Sequence, residues 1–177
     1  MNFELPEDIK ALKSVVRDFI DNEVEPQAMV IEEKDEIPAD IMKKAKELGL
    51  FGLSVPEEYG GLGLSMVGKV AILEELGRTH NGFTTVIGGH TGIGGVGIVE
   101  MGTEEQKRKY LPDMATGDRI GAFALTEPEA GSHASNLKTT AVRKGDKYIL
   151  NGRKHFITNA TIADIFTVMA VTDPTKG

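Results

Sequence analysis

At 177 residues the chain allows one domain or two small ones. Its 20 Lys+Arg against 27 Asp+Glu leave a net charge of −7. That balance argues against a nucleic-acid duplex or an anionic membrane as main partner, since both attract clustered positive charge. Cysteine is absent, so disulfides, thiolate zinc sites and cysteine nucleophiles are excluded.

Hydrophobic content of 40% with 27% charge is that of a globular protein. No apolar run reaches the roughly 18 residues of a membrane span. Residues 1–8 show neither a basic nor an apolar leader pattern, so the default expectation is a cytoplasmic address.

The first half reads as helices. Pro6 suits a first helical position, and Ile9, Leu12, Val16, Phe19 and Ile20 recur at helical spacing until Pro26 stops the pattern. A second helix opens at Pro38, buries Ile41, Met42, Ala45 and Leu48, and ends at Gly49. Residues 50–64 form a Gly- and Pro-rich loop, after which Ser65 caps a third helix through Leu76. Residues 81–101 are apolar and glycine-rich, and their periodicity leaves helix and strand both open. Thr103-Glu104-Glu105-Gln106 is a capping box starting a helix towards Tyr110.

After Pro112 the period shortens. Residues 120–126, 138–143, 147–150, 154–158 and 165–172 are strand-like, with turn signals at Lys144-Gly145-Asp146 and at Asn151-Gly152, the latter favouring a type I′ hairpin. The predicted fold class is α+β: an all-α unit over 1–116, then part of an antiparallel β-barrel-like domain over 117–177.

Two nucleotide patterns arise. Gly63-Leu-Ser-Met-Val-Gly68-Lys69 has P-loop spacing, but Val70 stands where a magnesium-ligating Ser or Thr is needed, and no buried strand leads in. Gly92-Ile-Gly94-Gly-Val-Gly97 fits a dinucleotide fingerprint and supports an alternative nicotinamide-dependent dehydrogenase. Only Ile98–Met101 separate it from Gly102, too few for the helix such a fold requires, so an apolar helix with close backbone contacts is preferred. Of His80, His90, His133 and His155, none has metal-ligand spacing, so no metal site is expected. His90, within the apolar run, reads as a core histidine.

The strongest constellation is Phe123-Ala124-Leu125-Thr126-Glu127-Pro128-Glu129-Ala130-Gly131-Ser132 with Phe156-Ile157-Thr158-Asn159. A strand breaking at Pro128 into a Gly turn offers N–H groups and a hydroxyl to an anion. Thr126 and Thr158 offer hydroxyls to a heterocycle, and Phe156 an aromatic face. An ordinary Ser/Thr-rich turn explains the same residues equally well.

At these residues the sequence resembles the acyl-CoA dehydrogenase family. The likeness also runs through Ala45-Lys-Glu-Leu-Gly-Leu-Phe-Gly52, Val55-Pro-Glu-Glu-Tyr-Gly-Gly-Leu-Gly63, Glu74-Glu-Leu-Gly77, Gly102-Thr-Glu-Glu-Gln106, Lys109-Tyr-Leu-Pro112 and Leu150-Asn-Gly152. Ala163-Asp-Ile-Phe-Thr-Val168 resembles the long- and very-long-chain branch. The resemblance implies an FAD-dependent enzyme of fatty acid β-oxidation. It would convert an acyl-CoA to trans-2-enoyl-CoA, with α-proton removal by a carboxylate and hydride transfer from the β carbon to flavin N5.

It further implies that Phe123, Ala124, Leu125, Thr126, Gly131, Ser132, Phe156, Ile157 and Thr158 line the flavin. Ser132, His90 and Gly92 would meet the acyl-CoA. An electron-transfer flavoprotein would take the electrons, and the subunit would form a dimer or tetramer. Glycines 88, 89, 92, 94, 95 and 97 would border the acyl pocket, or else serve helix packing. His133 replaces the family's common Asp, and Phe156 its common Trp.

The family's catalytic carboxylate lies in a C-terminal helical bundle that these residues do not resemble, so no catalytic residue is named. The polypeptide alone is expected to be inactive and to bind flavin poorly; a non-catalytic binding or assembly module is the remaining alternative.

Overall fold

A computed structural model describes residues 4–176; residues 1–3 and 177, the outer ends of the two predicted units, lie outside it. Helix α1 (Glu7–Phe19) follows Pro6 directly, with Glu7 and Asp8 at its positive end. The expected stop at Pro26 is instead an interruption. A π turn (Ile20–Val24) and a 3₁₀ turn holding Pro26 (Glu25–Gln27) lead straight into α2 (Ala28–Lys34). Proline early in a new turn removes only an N–H that has no helical partner there, so the chain coils on.

Helix α3 (Ala39–Glu47) starts after Pro38 and hands over to a left-handed Gly49 (φ 72°). Helix α4 (Met66–Leu76) is capped by Ser65, whose Oγ accepts from Gly68 N at 3.2 Å. The ambiguous stretch is helical: α5 (Asn81–Gly89), a π turn (His90–Gly94) and α6 (Gly95–Met101). The capping box is present in both directions, Gln106 N to Thr103 Oγ1 at 3.3 Å and Thr103 N to Gln106 Oε1 at 2.9 Å. It opens α7 (Glu104–Thr116), which runs past Pro112 because Leu111, Met114 and Ala115 are buried on its inner face. Tertiary packing there outweighs one lost backbone bond.

The helical core gathers Val16, Phe19, Ile20, Ile72, Leu76 and Phe83, with the Phe19 and Phe83 rings edge-to-face at 6.0 Å. Beside it, α1 and α4 are joined through Glu75, whose buried carboxylate accepts from Arg17 (2.7 and 2.9 Å) and Arg78 (3.0 Å). Among the described residues no helix is long and apolar enough to cross a membrane.

The strands depart from the expected antiparallel barrel. β1 (Gly121–Ala124) pairs in parallel with β4 (Ile165–Val168), Gly121 opposite Ile165 and Ala124 opposite Val168. Only β2 (Thr140–Lys144) and β3 (Lys147–Asn151) form an antiparallel hairpin. The described strands thus make two two-stranded sheets, and no barrel is formed among them. A tight turn forces antiparallel pairing, whereas the long excursion from β1 to β4 returns in the same direction.

The hairpin turns at Gly145-Asp146, with Gly145 at φ 67°, not at Asn151-Gly152. Asn151 lies in the ladder opposite Thr140, and Gly152 packs so tightly that a Cβ there would stand 2.2 Å from Thr139 Oγ1. Residues 154–158, expected as a strand, are irregular.

Candidate functional site

β1 delivers the first wall of the site. Beyond it, Leu125 and Thr126 are half-buried, and Glu127 and Ala130 close a tight turn through paired backbone bonds of 3.0 and 3.2 Å. Gly131 and Ser132 emerge exposed from that turn. The second wall is the irregular run 154–159, held alongside the first by His155 N to Thr126 O (2.9 Å) and Lys154 Nζ to Leu125 O (2.9 Å).

Within that run Phe156 has φ 54° and is 93% exposed, an aromatic ring presented to solvent by a backbone conformation that L side chains seldom adopt. Asn159, also left-handed, anchors the far end by donating from Nδ2 to Val86 O (3.0 Å) and Gly121 O (3.4 Å). The hydroxyls of Thr126, Ser132 and Thr158 make no hydrogen bond among the described residues, and all three residues reach the surface. Three unengaged hydroxyls and an exposed ring on adjoining segments are a donor and stacking set suited to a polar heterocycle. Phe123 is half-buried, while Ala124 is buried and engages Met169 N only through its carbonyl (3.1 Å).

One strongly charged group underlies these walls. Glu127 is buried, and its carboxylate accepts from Lys138 N (2.6 Å), Thr139 N (3.0 Å) and Lys154 Nζ (2.8 Å). Burial pushes its pKa up, but Lys154, Thr139 and the two N–H groups more than offset this and hold it at about 2. Its partner network was not visible in the sequence, because the donors lie 11 to 27 positions away.

A separate cavity of about 220 Å³ opens between α4, α5 and α6, lined by Leu53, Met66, Leu73, Gly88, Gly92 and Val96 among others. The glycines divide into two sets. A Cβ on Gly88 or Gly92 would meet nothing within 4 Å, whereas one on Gly94 would stand 2.8 Å from the Gly121 backbone. One on Gly89 would stand 2.8 Å from Thr158 Cγ2. Adjacent residues of α5 therefore face two ways, Gly88 into the cavity and Gly89 against the Thr158 wall.

His90, assigned to the acyl-CoA by resemblance, is a core residue instead: buried, edge-on to Phe51 at 5.3 Å, with both ring nitrogens used. Nε2 lies 3.0 Å from Met114 O, and Nδ1 accepts from Gly121 N at 2.9 Å, which fixes the proton on Nε2. Burial lowers its pKa, so the ring is neutral. The nicotinamide alternative fails on the same segment. Helix α5 precedes Gly92, where a dinucleotide fold needs a strand, and the glycines sit in a π turn and α6.

Residues 6–118 match the model of the acyl-CoA dehydrogenase N-terminal domain, and residues 122–177 that of the acyl-CoA dehydrogenase middle domain. An acyl-CoA dehydrogenase of Bacillus subtilis is 45% identical over 166 residues, 94% of this chain and 44% of the relative. A short-chain-specific acyl-CoA dehydrogenase of Clostridium acetobutylicum is 41% identical over 177 residues, 100% of this chain and 47% of the relative. The chain thus spans less than half the length of these curated relatives.

Among solved structures, a chain from a study of the electron-transferring flavoprotein of Acidaminococcus fermentans superposes with a TM-score of 0.94 at 41% identity, covering all of this chain and 47% of that one. A Bacillus anthracis acyl-CoA dehydrogenase complexed with FAD does so at 0.86 and 44%, covering 94% and 29%.

Proposed function

This chain belongs to the acyl-CoA dehydrogenase family, and we propose that it supplies one side of the active site of an FAD-dependent enzyme oxidising acyl-CoA thioesters to trans-2-enoyl-CoA. The observation that carries the reading is the two-faced α5: an apolar cavity at Gly88 and Gly92, and behind it at Gly89 the wall bearing Thr158. An apolar chain and a polar cofactor are thereby offered neighbouring surfaces by one helix.

Bound FAD supplies the two-electron redox chemistry. Thr126 and Thr158 would hold the ring system by their free hydroxyls, Phe156 would cover a face, and the Gly131-Ser132 turn would receive the diphosphate. Ser132, exposed at the end of that turn, would also meet the CoA moiety. Exclusion of water around the acyl tail falls to Leu53, Leu73 and Val96 in the cavity.

Proton abstraction is assigned to no residue of this chain. The two buried carboxylates, Glu75 and Glu127, are held ionised at about 2 by cationic partners, too acidic to serve as bases near neutrality. The open positions at Gly88 and Gly92 support a longer acyl chain as the preferred substrate. The likeness to the Acidaminococcus chain supports an electron-transfer flavoprotein as acceptor. The exposed aromatic ring of Phe156 is a candidate contact for it.

The test is reconstitution. Thr126→Ala and Thr158→Ala should each weaken FAD binding several-fold, read by flavin fluorescence, and unchanged affinity in both would sink the assignment. The 177 residues by themselves are expected to bind FAD weakly and to turn over no acyl-CoA, because they provide one side of the site. A stoichiometric flavin absorbance band with turnover would overturn that.

A further inference from the structure

The polar links between the segments of the candidate wall converge on one buried ion pair. Side-chain exposure is 2% at Glu127 and 13% at Lys154, and their charged atoms are 2.8 Å apart. The side chains of this pair bond two stretches of chain, and the backbone at Glu127 and next to Lys154 ties in two more. The carboxylate takes the N–H groups of Lys138 and Thr139 at the entry to β2. The ammonium also takes the carbonyl of Leu125 at the exit of β1. The Glu127 backbone closes the turn that carries Gly131 and Ser132, and the residue after Lys154 bonds Thr126 on the way to Phe156 and Thr158. Burying two charges is costly in itself, and an apolar pair of similar volume is often as stable, so stability alone is a weak account of this pair.

We propose that Glu127 and Lys154 are positioning residues for the flavin wall: together they hold Thr126, the Ser132 turn and Phe156–Thr158 in the relative placement the cofactor requires, before it arrives. The inference rests on the flavin reading of these segments. The chemistry demands a carboxylate in particular. Three donors point at Glu127 from two directions, and a carboxylate is acceptor-only on both oxygens. A glutamine of the same shape would turn an NH₂ either towards both the ammonium and Thr139 N or towards Lys138 N. Lysine is equally specific, since its head serves both Glu127 and the Leu125 carbonyl.

The experiment compares wild type with Glu127→Gln, Lys154→Met, the double variant, and Glu75→Gln as a control in the distant helical ion cluster. Hydrogen exchange is read on the chain without flavin, melting temperature in parallel, and FAD affinity by fluorescence titration. Each single variant should speed exchange at least tenfold across residues 125–132 and 154–159 together, and weaken FAD at least fivefold. The double variant, which removes both buried charges, should recover much of the melting temperature but not the FAD affinity, a split that a purely structural pair would not produce. Glu75→Gln should lower the melting temperature and leave FAD affinity within twofold.

The proposal is overturned if exchange rises only around the substituted residue. It is also overturned if FAD affinity in the double variant returns with the melting temperature. A wild-type chain with no FAD binding at millimolar concentrations sinks the flavin reading itself, and the positioning role with it.

Discussion

Glycine residues carry the sharpest contrast at the level of single side chains. Gly92 faces an open cavity, so Gly92→Leu should be tolerated by the fold and should shift acyl-chain preference towards shorter substrates in the enzyme containing this chain. An unchanged chain-length profile would refute the cavity's role. Gly94 is the opposite case. Its missing Cβ lets the π turn lie against β1, and Gly94→Ala should cost about 1–3 kcal/mol in denaturant unfolding because backbone, not a flexible tip, must move. The sequence shows six glycines in one apolar run and cannot sort them, since a glycine is read by what packs on it. Thr126, Ser132 and Thr158 could be nominated from sequence for the reverse reason: they belong to contiguous fragments whose residue order is itself the signal, and their role towards a flavin stays the proposal made above.

Helix boundaries were legible wherever a cap or a left-handed glycine decided them. Ser65, Gly49 and the Thr103–Gln106 box act within a few residues of themselves. Ser65→Ala should accordingly destabilise the chain by about 1 kcal/mol, measured by thermal unfolding. Prolines 26 and 112 misled because their effect depends on the packing around them, which local spacing does not report.

The turn chemistry of the β2–β3 hairpin was written at Gly145, and Val142, Tyr148, Ile149 and Leu150 are all exposed, the uncovered apolar face expected of a partial sheet. The wild-type chain should self-associate in sedimentation and replacement of Ile149 and Leu150 by Ser should reduce it; a monomeric wild type, or unchanged association in the variant, would remove the hairpin as a cause.

Acid stability belongs to the molecule as a whole. Glu75 is lowered from the ordinary 4.5 to about 2, chiefly by Arg17, with burial opposing and Arg78 and Lys13 assisting. Glu127 is lowered to about 2 as well. Both bind protons less readily folded than unfolded, so their contribution is complete above the ordinary value and is lost as pH falls from there through about 2. Burial lowers His90 too, so the stability carried by its neutral core bonds is complete above the ordinary imidazole value and is lost as pH falls from that value.

The melting temperature should therefore fall on acidification from pH 6, most steeply below pH 4.5. Glu75→Gln should flatten the lower part of that profile while costing about 2–3 kcal/mol at neutral pH, because two arginines lose a buried partner. An acid profile identical to wild type would show that the Glu75 cluster does not set it.

Order along the chain, helices before strands, the capped starts and glycine ends, and the motif fragments that identify the family all followed from residues within a few positions of one another. Direct bonds and steric limits act at that range, so they can be read in one dimension. The parallel pairing of β1 with β4, the two backbone partners that engage both nitrogens of the core histidine His90, and the gathering of four segments around Glu127 and Lys154 appeared only on folding. Each joins residues tens of positions apart, and such contacts are chosen by the packing of the entire chain rather than by any stretch of it.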